Sequence, residues 1–238
     1  MSKKQLKHVG SGLRHFYVDA PLTAGGDVEF PTALSHRLGK VLRLKKGDSI
    51  ALFNGKDGLF SAVIGENTKF AEVQEKLKSF ETSQNVTLMV GLPKRETMNR
   101  VLRQATELGV ARIQPVLMEY CVPDKLNLER VEAIAVEAAE QCERLDVPKI
   151  LKPMGLREVV ESFDGSIYWA AERKEGGIKE KDNSNYALLV GPEGGFSPDE
   201  ASWLVQQQRI VSISLGTTIL RVDTAVVAGL GVLNLTAQ

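Results

Sequence analysis

From Val86 onward the sequence alternates two kinds of segment, and this alternation restricts the fold more than any other feature. Val86-Thr-Leu-Met-Val-Gly-Leu92 is a continuous apolar run of strand length. The stretch after it sets Met98, Val101, Leu102, Ala105 and Leu108 on one helical face and ends at Gly109, in a C-cap position. Ile113–Met118 is a second strand, and Leu128 to Arg144 a helix with Val131, Ile134, Ala135 and Ala138 turned inward. Ser166–Ala171 and Ala187–Val190 are further buried strands. Strands apolar on both faces and separated by helices belong to a mostly parallel sheet covered on both sides, so the class is α/β.

The first 78 residues obey a different pattern and read as a small β-rich module. Arg14–Val18 has strand composition. Ser49–Asn54 and Leu59–Ile64 flank Gly55-Lys-Asp-Gly58, whose Asp-Gly pair is a hairpin signal. Between them, His36–Arg43 fits one or two helical turns with its charges grouped on one side. Ser79–Asn85 is polar and aperiodic, as a linker is. The expected division is therefore 1–78, a linker over 79–85, and 86–238, with no internal repeat or low-complexity tract.

Composition narrows the partners. With 238 residues, 43% of them apolar and 25% charged, the chain suits a soluble protein of one large or two small domains. No run reaches the roughly 20 apolar residues that span a bilayer, and the basic N-terminus lacks the apolar stretch of a secretory signal. The two cysteines, Cys121 and Cys142, make no disulfide framework and no metal-site spacing, which points to a reducing, cytoplasmic setting without a metal. Net charge is zero, yet residues 1–46 carry nine Lys or Arg against three acids, an excess of +6, together with His8, His15 and His36. Such a patch is either a solvated face or the footprint of a polyanion.

The chemistry-bearing motifs lie late in the chain. The G-x-G-x-x-G, Walker A and G-x-S-x-G signatures do not occur. Instead the apolar strand ending at Val190 runs into Gly191-Pro-Glu-Gly-Gly195, and a helix then starts with Ser197 as N-cap, Pro198 at N1 and Glu200 at N3, a capping box. Glycines at the carboxyl end of a parallel strand let a ligand touch backbone where open α/β sheets place ligands; the plainer alternative is a tight turn. A second loop, Ile213–Ala225, leads into the apolar helix Val226–Leu235, which must pack under the sheet or against a second copy of the chain. Arg221 and Asp223 stand at that boundary, as functional groups or as a helix N-cap and an ion-pair partner.

Several short motifs in fixed order then match a family. Arg14-His-Phe, His36 to Val-Leu-Arg43 and Gly-Asp48, Leu92-Pro-Lys94, Glu107-Leu-Gly109 and Ile113-Gln-Pro115 are followed by Glu137-Ala-Ala-Glu-Gln141, Arg144 and Pro148. Gly191-Pro-Glu-Gly-Gly-Phe-Ser197, Leu215-Gly216, Ile219-Leu-Arg221 and Thr224-Ala225 complete the series. Nearly end to end, the chain resembles the RsmE-type 16S ribosomal RNA (uracil-N3) methyltransferases of the SPOUT superfamily. The resemblance implies a PUA-like β-barrel followed by a SPOUT-type parallel sheet whose C-terminal chain is tied as a trefoil knot, an exception to ordinary topology. It implies a homodimer, S-adenosyl-L-methionine as cofactor, and 16S ribosomal RNA or the 30S subunit as substrate.

Carried over by motif, the cofactor site comprises Leu189, Val190, Gly191, Pro192, Glu193, Gly194, Gly195, Leu215, Gly216, Thr217, Ile219, Leu220 and Arg221. Candidate RNA contacts are Arg14, His36, Arg37, Arg43, Lys94 and Arg95. Uracil N3 is weakly acidic and becomes nucleophilic only after losing its proton. An enzyme must therefore hold it in line with the methyl donor and stabilise the anion. Arg221 suits the anion, and Asp223 or Glu193 the proton. The base must be unpaired or flipped. Four positions depart from the family pattern: Val222 and Asp223 where threonine and glutamate are usual, and Thr218 and Tyr120 where arginine is common. Two other readings are a SPOUT ribose 2′-O-methyltransferase, whose Asn-x-x-x-Arg Asn99 and Arg103 mimic, and a non-catalytic RNA-binding assembly factor. The target nucleotide, naked RNA against assembled subunit, and the existence of a dedicated base stay open at this level.

Overall fold

The computed structural model describes residues 12–81, 85–121, 126–171 and 185–235, and the chain divides into two units, 1–82 with 139–146 and 83–138 with 147–238. Lys3, Lys4, Lys7 and His8 of the basic stretch, and residues 82–84 of the expected linker, lie outside the described residues.

The first unit contains β1 (His15–Tyr17), β2 (Asp27–Glu29), α1 (Thr32–His36), β3 (Ser49–Phe53), β4 (Leu59–Ile64) and β5 (Phe70–Lys78). The sheet order is β1-β3-β4-β5-β2, with only the β1–β3 pair parallel. The expected barrel is a curled sheet in which β1 and β2, as edge strands, do not pair with each other among the described residues. The hairpin is where its turn signal puts it, with Phe53 opposite Leu59. Asn54 Oδ1 accepts the Asp57 N–H at 2.8 Å, and Gly58 is obligatory, since a Cβ there would lie 2.2 Å from the Lys78 carbonyl oxygen. Phe16, Val28, Ile50, Leu52, Ile64 and Val73 form the core. It is closed by Leu38, which arrives from a π-helical turn, Arg37–Val41, continuing α1.

The second unit contains β6 (Val86–Gly91), α2 (Arg95–Glu107), β7 (Arg112–Leu117), α3 (Leu128–Gln141), β8 (Lys149–Ile150), β9 (Met154–Gly155) and α4 (Leu156–Ser162). After these come β10 (Ser166–Ala170), β11 (Tyr186–Val190), α5 (Pro198–Val205), β12 (Ile210–Ile213) and α6 (Val222–Leu235). All strand pairs are parallel, in the order β12-β10-β11-β6-β7-β8 with β9 beside β7. The continuous apolar runs are explained by two cores. Leu88 and Val90 of β6 face a layer containing Leu102, Val131, Val226 and Leu230, while Met89 faces one with Leu156, Val160, Trp169 and Leu204. Each such side chain contributes about 1.5–3 kcal/mol when fully buried.

Two helix ends differ from the sequence reading. α3 stops at Gln141, three residues before Arg144, and Glu143 adopts a positive φ of 59°. α6 starts at Val222 rather than Val226, because the Arg221 carbonyl already accepts the Ala225 N–H at 2.8 Å. Asp223 therefore sits in the first turn and is not the N-cap. Gly229 lets this helix lie close to β11: a Cβ there would come within 2.7 Å of Leu188 Cδ2. Among the described residues, no helix is long and apolar enough to cross a membrane.

Candidate active site

Neighbouring parallel strands β12, β10 and β11 all end at the same edge, and the loops leaving them enclose a cleft. Its walls are Ala170 and Ala171, Val190 to Pro192 with Gly195 and Phe196, Leu215, Gly216, Thr218 to Leu220, and Val222 and Ala225 of α6. The cleft opens to solvent along this edge of the sheet, where α/β folds place their ligands.

Local rules position each wall. The capping box is present as read: Ser197 Oγ accepts the Glu200 N–H at 3.2 Å, and the Glu200 carboxylate accepts the Ser197 N–H at 2.9 Å. The same carboxylate also takes the Glu119 N–H at 2.9 Å, tying the turn after β7 to the start of α5. A turn closed by Gly195 N–H to the Pro192 carbonyl at 2.9 Å, with Gly195 at φ 73°, folds the glycine loop back. Gly191 admits no side chain, since a Cβ would lie 2.8 Å from Phe196 Cε2, and Phe196 is held edge-on against Trp169 at 5.3 Å. Gly216, at φ 131°, has open space where a Cβ would project.

The structure gathers Val190, Gly191, Pro192, Gly195, Leu215, Gly216, Ile219 and Leu220 around one cleft. Leu189 is buried in the sheet, while Glu193, Gly194, Thr217 and Arg221 are exposed beside the walls without lining them. A Cβ on Gly194 would point at Tyr120, 2.7 Å from its Cβ. Ala170, Ala171, Phe196, Thr218, Val222 and Ala225 line the cleft without appearing among the sequence candidates. For the alanines the signal was available, since they end a buried strand at the edge where ligands collect.

Of the three candidate catalytic groups, Arg221 and Asp223 bracket Val222 at the start of α6. Asp223 pairs with Arg100 of α2, Nε to Oδ2 at 2.7 Å, and its side chain is 15% exposed. Burial pushes this carboxyl up, but the Arg100 guanidinium and the N–H groups of Asp223 and Thr224 outweigh burial and hold it below the ordinary carboxylate range. Arg221 is exposed, with no side-chain hydrogen bond or ion pair among the described residues. The ion pair at this boundary is thus made by Asp223 with another helix, not by Arg221. Glu193 accepts the Lys94 N–H at 3.1 Å, joining the glycine loop to the loop after β6.

The candidate RNA contacts separate into free and engaged groups. Arg14, His36, Arg43, Lys94 and Arg95 are exposed. Arg37 instead donates to both oxygens of Glu140 at 2.7 Å within the first unit, where Glu140 also accepts the Tyr17 N–H, and its guanidinium lies 5.3 Å from the Phe16 ring centroid. Asn99, of the Asn-x-x-x-Arg mimic, accepts from Arg130 at 2.8 Å. Among the described residues, no group of three or more His, Cys, Asp or Glu is arranged to hold a metal ion.

Comparison with known proteins places this architecture. Residues 80–234 match the RNA methyltransferase domain family and residues 35–76 the RNA methyltransferase PUA domain family. Ribosomal RNA small subunit methyltransferase E of Rickettsia conorii is 34% identical over 224 residues, covering 90% of this chain and 92% of that protein. The Synechocystis protein of that name is 33% identical over 87% of this chain and 72% of its own length. A crystal structure of Ribosomal RNA small subunit methyltransferase E from Neisseria gonorrhoeae bound to S-adenosyl methionine is 28% identical. It superposes with a TM-score of 0.84 over 94% of this chain and 98% of that one. A PUA-type module, a parallel sheet and a glycine-walled cleft at its carboxyl edge therefore have one common explanation: the chain belongs to the ribosomal RNA small subunit methyltransferase E family.

Proposed function

We propose that this protein methylates N3 of a uridine in 16S ribosomal RNA, with S-adenosylmethionine held in the cleft between the Gly191–Phe196 and Leu215–Leu220 loops. The observation that carries the reading is the cleft itself. Gly191, Gly195 and Gly216 line it, the last with open space where a side chain would project, and the apolar groups Ala170, Val190, Leu215 and Ile219 beside them suit the face of an adenine. The cofactor supplies the methyl group. The chain's residues have three tasks: to exclude water from the reacting atoms, to hold an unpaired uridine in line, and to manage its N3 proton. Arg221, without a carboxylate partner among the described residues, stabilises the uridine anion. In this reading Asp223, kept ionised by Arg100, accepts the proton, with Glu193 as the second candidate carboxylate.

The finer assignments come with the family resemblance: the PUA-like module over 1–78, the linker, the C-terminal trefoil knot, action on naked 16S RNA or the 30S subunit, and a cytoplasmic location. A homodimer has support from α6, whose Val227 and Val232 are 38% and 44% exposed while Val226, Leu230 and Leu233 are buried. A second copy would cover them.

Mass-spectrometric mapping of ribosomal RNA from cells lacking the protein tests the activity. Loss of one methyl that stays with the uracil base after glycosidic cleavage is expected. A methyl retained on the ribose would establish the 2′-O reading, and unchanged RNA the non-catalytic one.

A further inference from the structure

A second pocket opens beside the cofactor cleft, at the carboxyl end of β6. Leu92, Pro93, Met98 and Leu126 give it an apolar lining, and Arg95 and Arg130 give it two guanidiniums. The loops that carry the two pockets touch. Gly91, the last residue of β6, packs so closely on Pro192 of the glycine loop that a Cβ would lie 2.4 Å from its Cδ, and Lys94 N–H bonds Glu193. Arg130 is half-buried and held by its hydrogen bond to Asn99; Arg95 is exposed at the first position of α2. Neither has a carboxylate partner among the described residues. Two like charges in one part-buried pocket repel and are poorly solvated unless an anion joins them. The apolar lining exceeds the needs of a bare anion and suits the face of a base.

We infer that this pocket is a subsite for one unpaired nucleotide of the RNA, with its phosphate between Arg95 and Arg130 and its base on Leu92, Pro93 and Met98. The inference rests on the reading of the protein as an RNA methyltransferase, and it adds Arg130, Met98 and the pocket itself to the substrate-binding surface. Guanidinium forks match phosphate oxygens in pairs, which gives the subsite orientation as well as charge.

The test uses the full chain saturated with S-adenosylhomocysteine and titrated with uridine 5′-monophosphate, uridine or inorganic phosphate, followed by NMR. The nucleotide is expected to bind more tightly than either fragment. Its affinity should fall about tenfold in Arg130→Gln and in Arg95→Gln, as for a lost charge-assisted contact, and recover in part in Arg130→Lys. S-adenosylhomocysteine affinity should stay unchanged, and RNA methylation should show a raised KM with kcat little altered. Arg95→Gln carries the test even if Arg130→Gln fails to fold, because Arg95 is exposed. Phosphate binding as tightly as the nucleotide, unchanged nucleotide affinity in Arg95→Gln, or weakened S-adenosylhomocysteine binding would each overturn the subsite. A wild-type protein that binds the nucleotide yet methylates no RNA would count against the enzymatic reading and leave the subsite standing.

Discussion

Single side chains set the chemistry, and here the sequence was readable in some positions and silent in others. Ser197 and Glu200 announce a capping box because the rule is local, three residues apart. Arg100 and Asp223, 123 positions apart, announce nothing, since their meeting depends on how α2 and α6 pack. If Arg221 stabilises the uridine anion, Arg221→Ala should slow single-turnover methylation by about 10²–10³-fold with cofactor affinity little changed. Asp223→Asn should cost at least about 10²-fold and recover in part at raised pH, while Glu193→Gln should cost far less. A lower melting temperature with normal turnover in Asp223→Asn would make the Arg100 pair a structural tie. His15 gives a separate pH dependence. Burial lowers its pKa, with Glu143 opposing, so the imidazole stays neutral in the fold and charges more readily in the unfolded chain. Stability should therefore be complete above the unfolded value of about 6.5 and decline as pH falls through it. Urea melts of wild type and His15→Gln between pH 7.5 and pH 5 should show a flatter profile in the variant.

At the scale of elements, the α/β alternation after Val86 was legible because periodicity is a property of consecutive residues. The start of α6 was less so: Leu220-Arg-Val-Asp carries no strong N-cap, and the helix begins where the Arg221 carbonyl finds Ala225. The start of α5 shows the reverse case, a helix end fixed by side chains. Ser197→Ala should lower global stability by about 1 kcal/mol. Glu200→Ala should cost more than Ser197→Ala, because it also releases the Glu119 N–H, and denaturant melts of the two variants would rank them. The exposed side of α6 predicts an effect of another kind. Charge at Val227 and Val232 together, as Val227→Asp with Val232→Asp, should convert a dimer to monomers without unfolding the sheet, readable by sedimentation and circular dichroism. A monomeric wild-type protein would remove the dimer from the proposal.

For the molecule as a whole, the charge excess of residues 1–46 was visible by counting, but counting could not tell which cations are free. Arg37 is spent on Glu140, whereas Lys40 and Arg43 are exposed and have no carboxylate partner among the described residues. Lys40→Gln with Arg43→Gln should reduce the salt slope of RNA binding by about two and leave melting unchanged, whereas Arg37→Gln should lower stability and leave the slope nearly intact. An identical slope in the double variant would assign the patch to a solvated face. The parallel sheet was foreseeable from composition and period, but the membership of residues 139–146 in the first unit was not, because a helix that starts in one unit gives no sequence sign of ending in another. That membership has a consequence for the order of synthesis. Tyr17 and Arg37 leave the ribosome long before Glu140, which completes their bonding, and the 64 residues from 83 to 146 take roughly 3–13 s to translate. During that interval one backbone donor and one guanidinium of the N-terminal module lack the carboxylate that binds them in the native protein, so completion of the module is timed by the elongation of the domain that follows it.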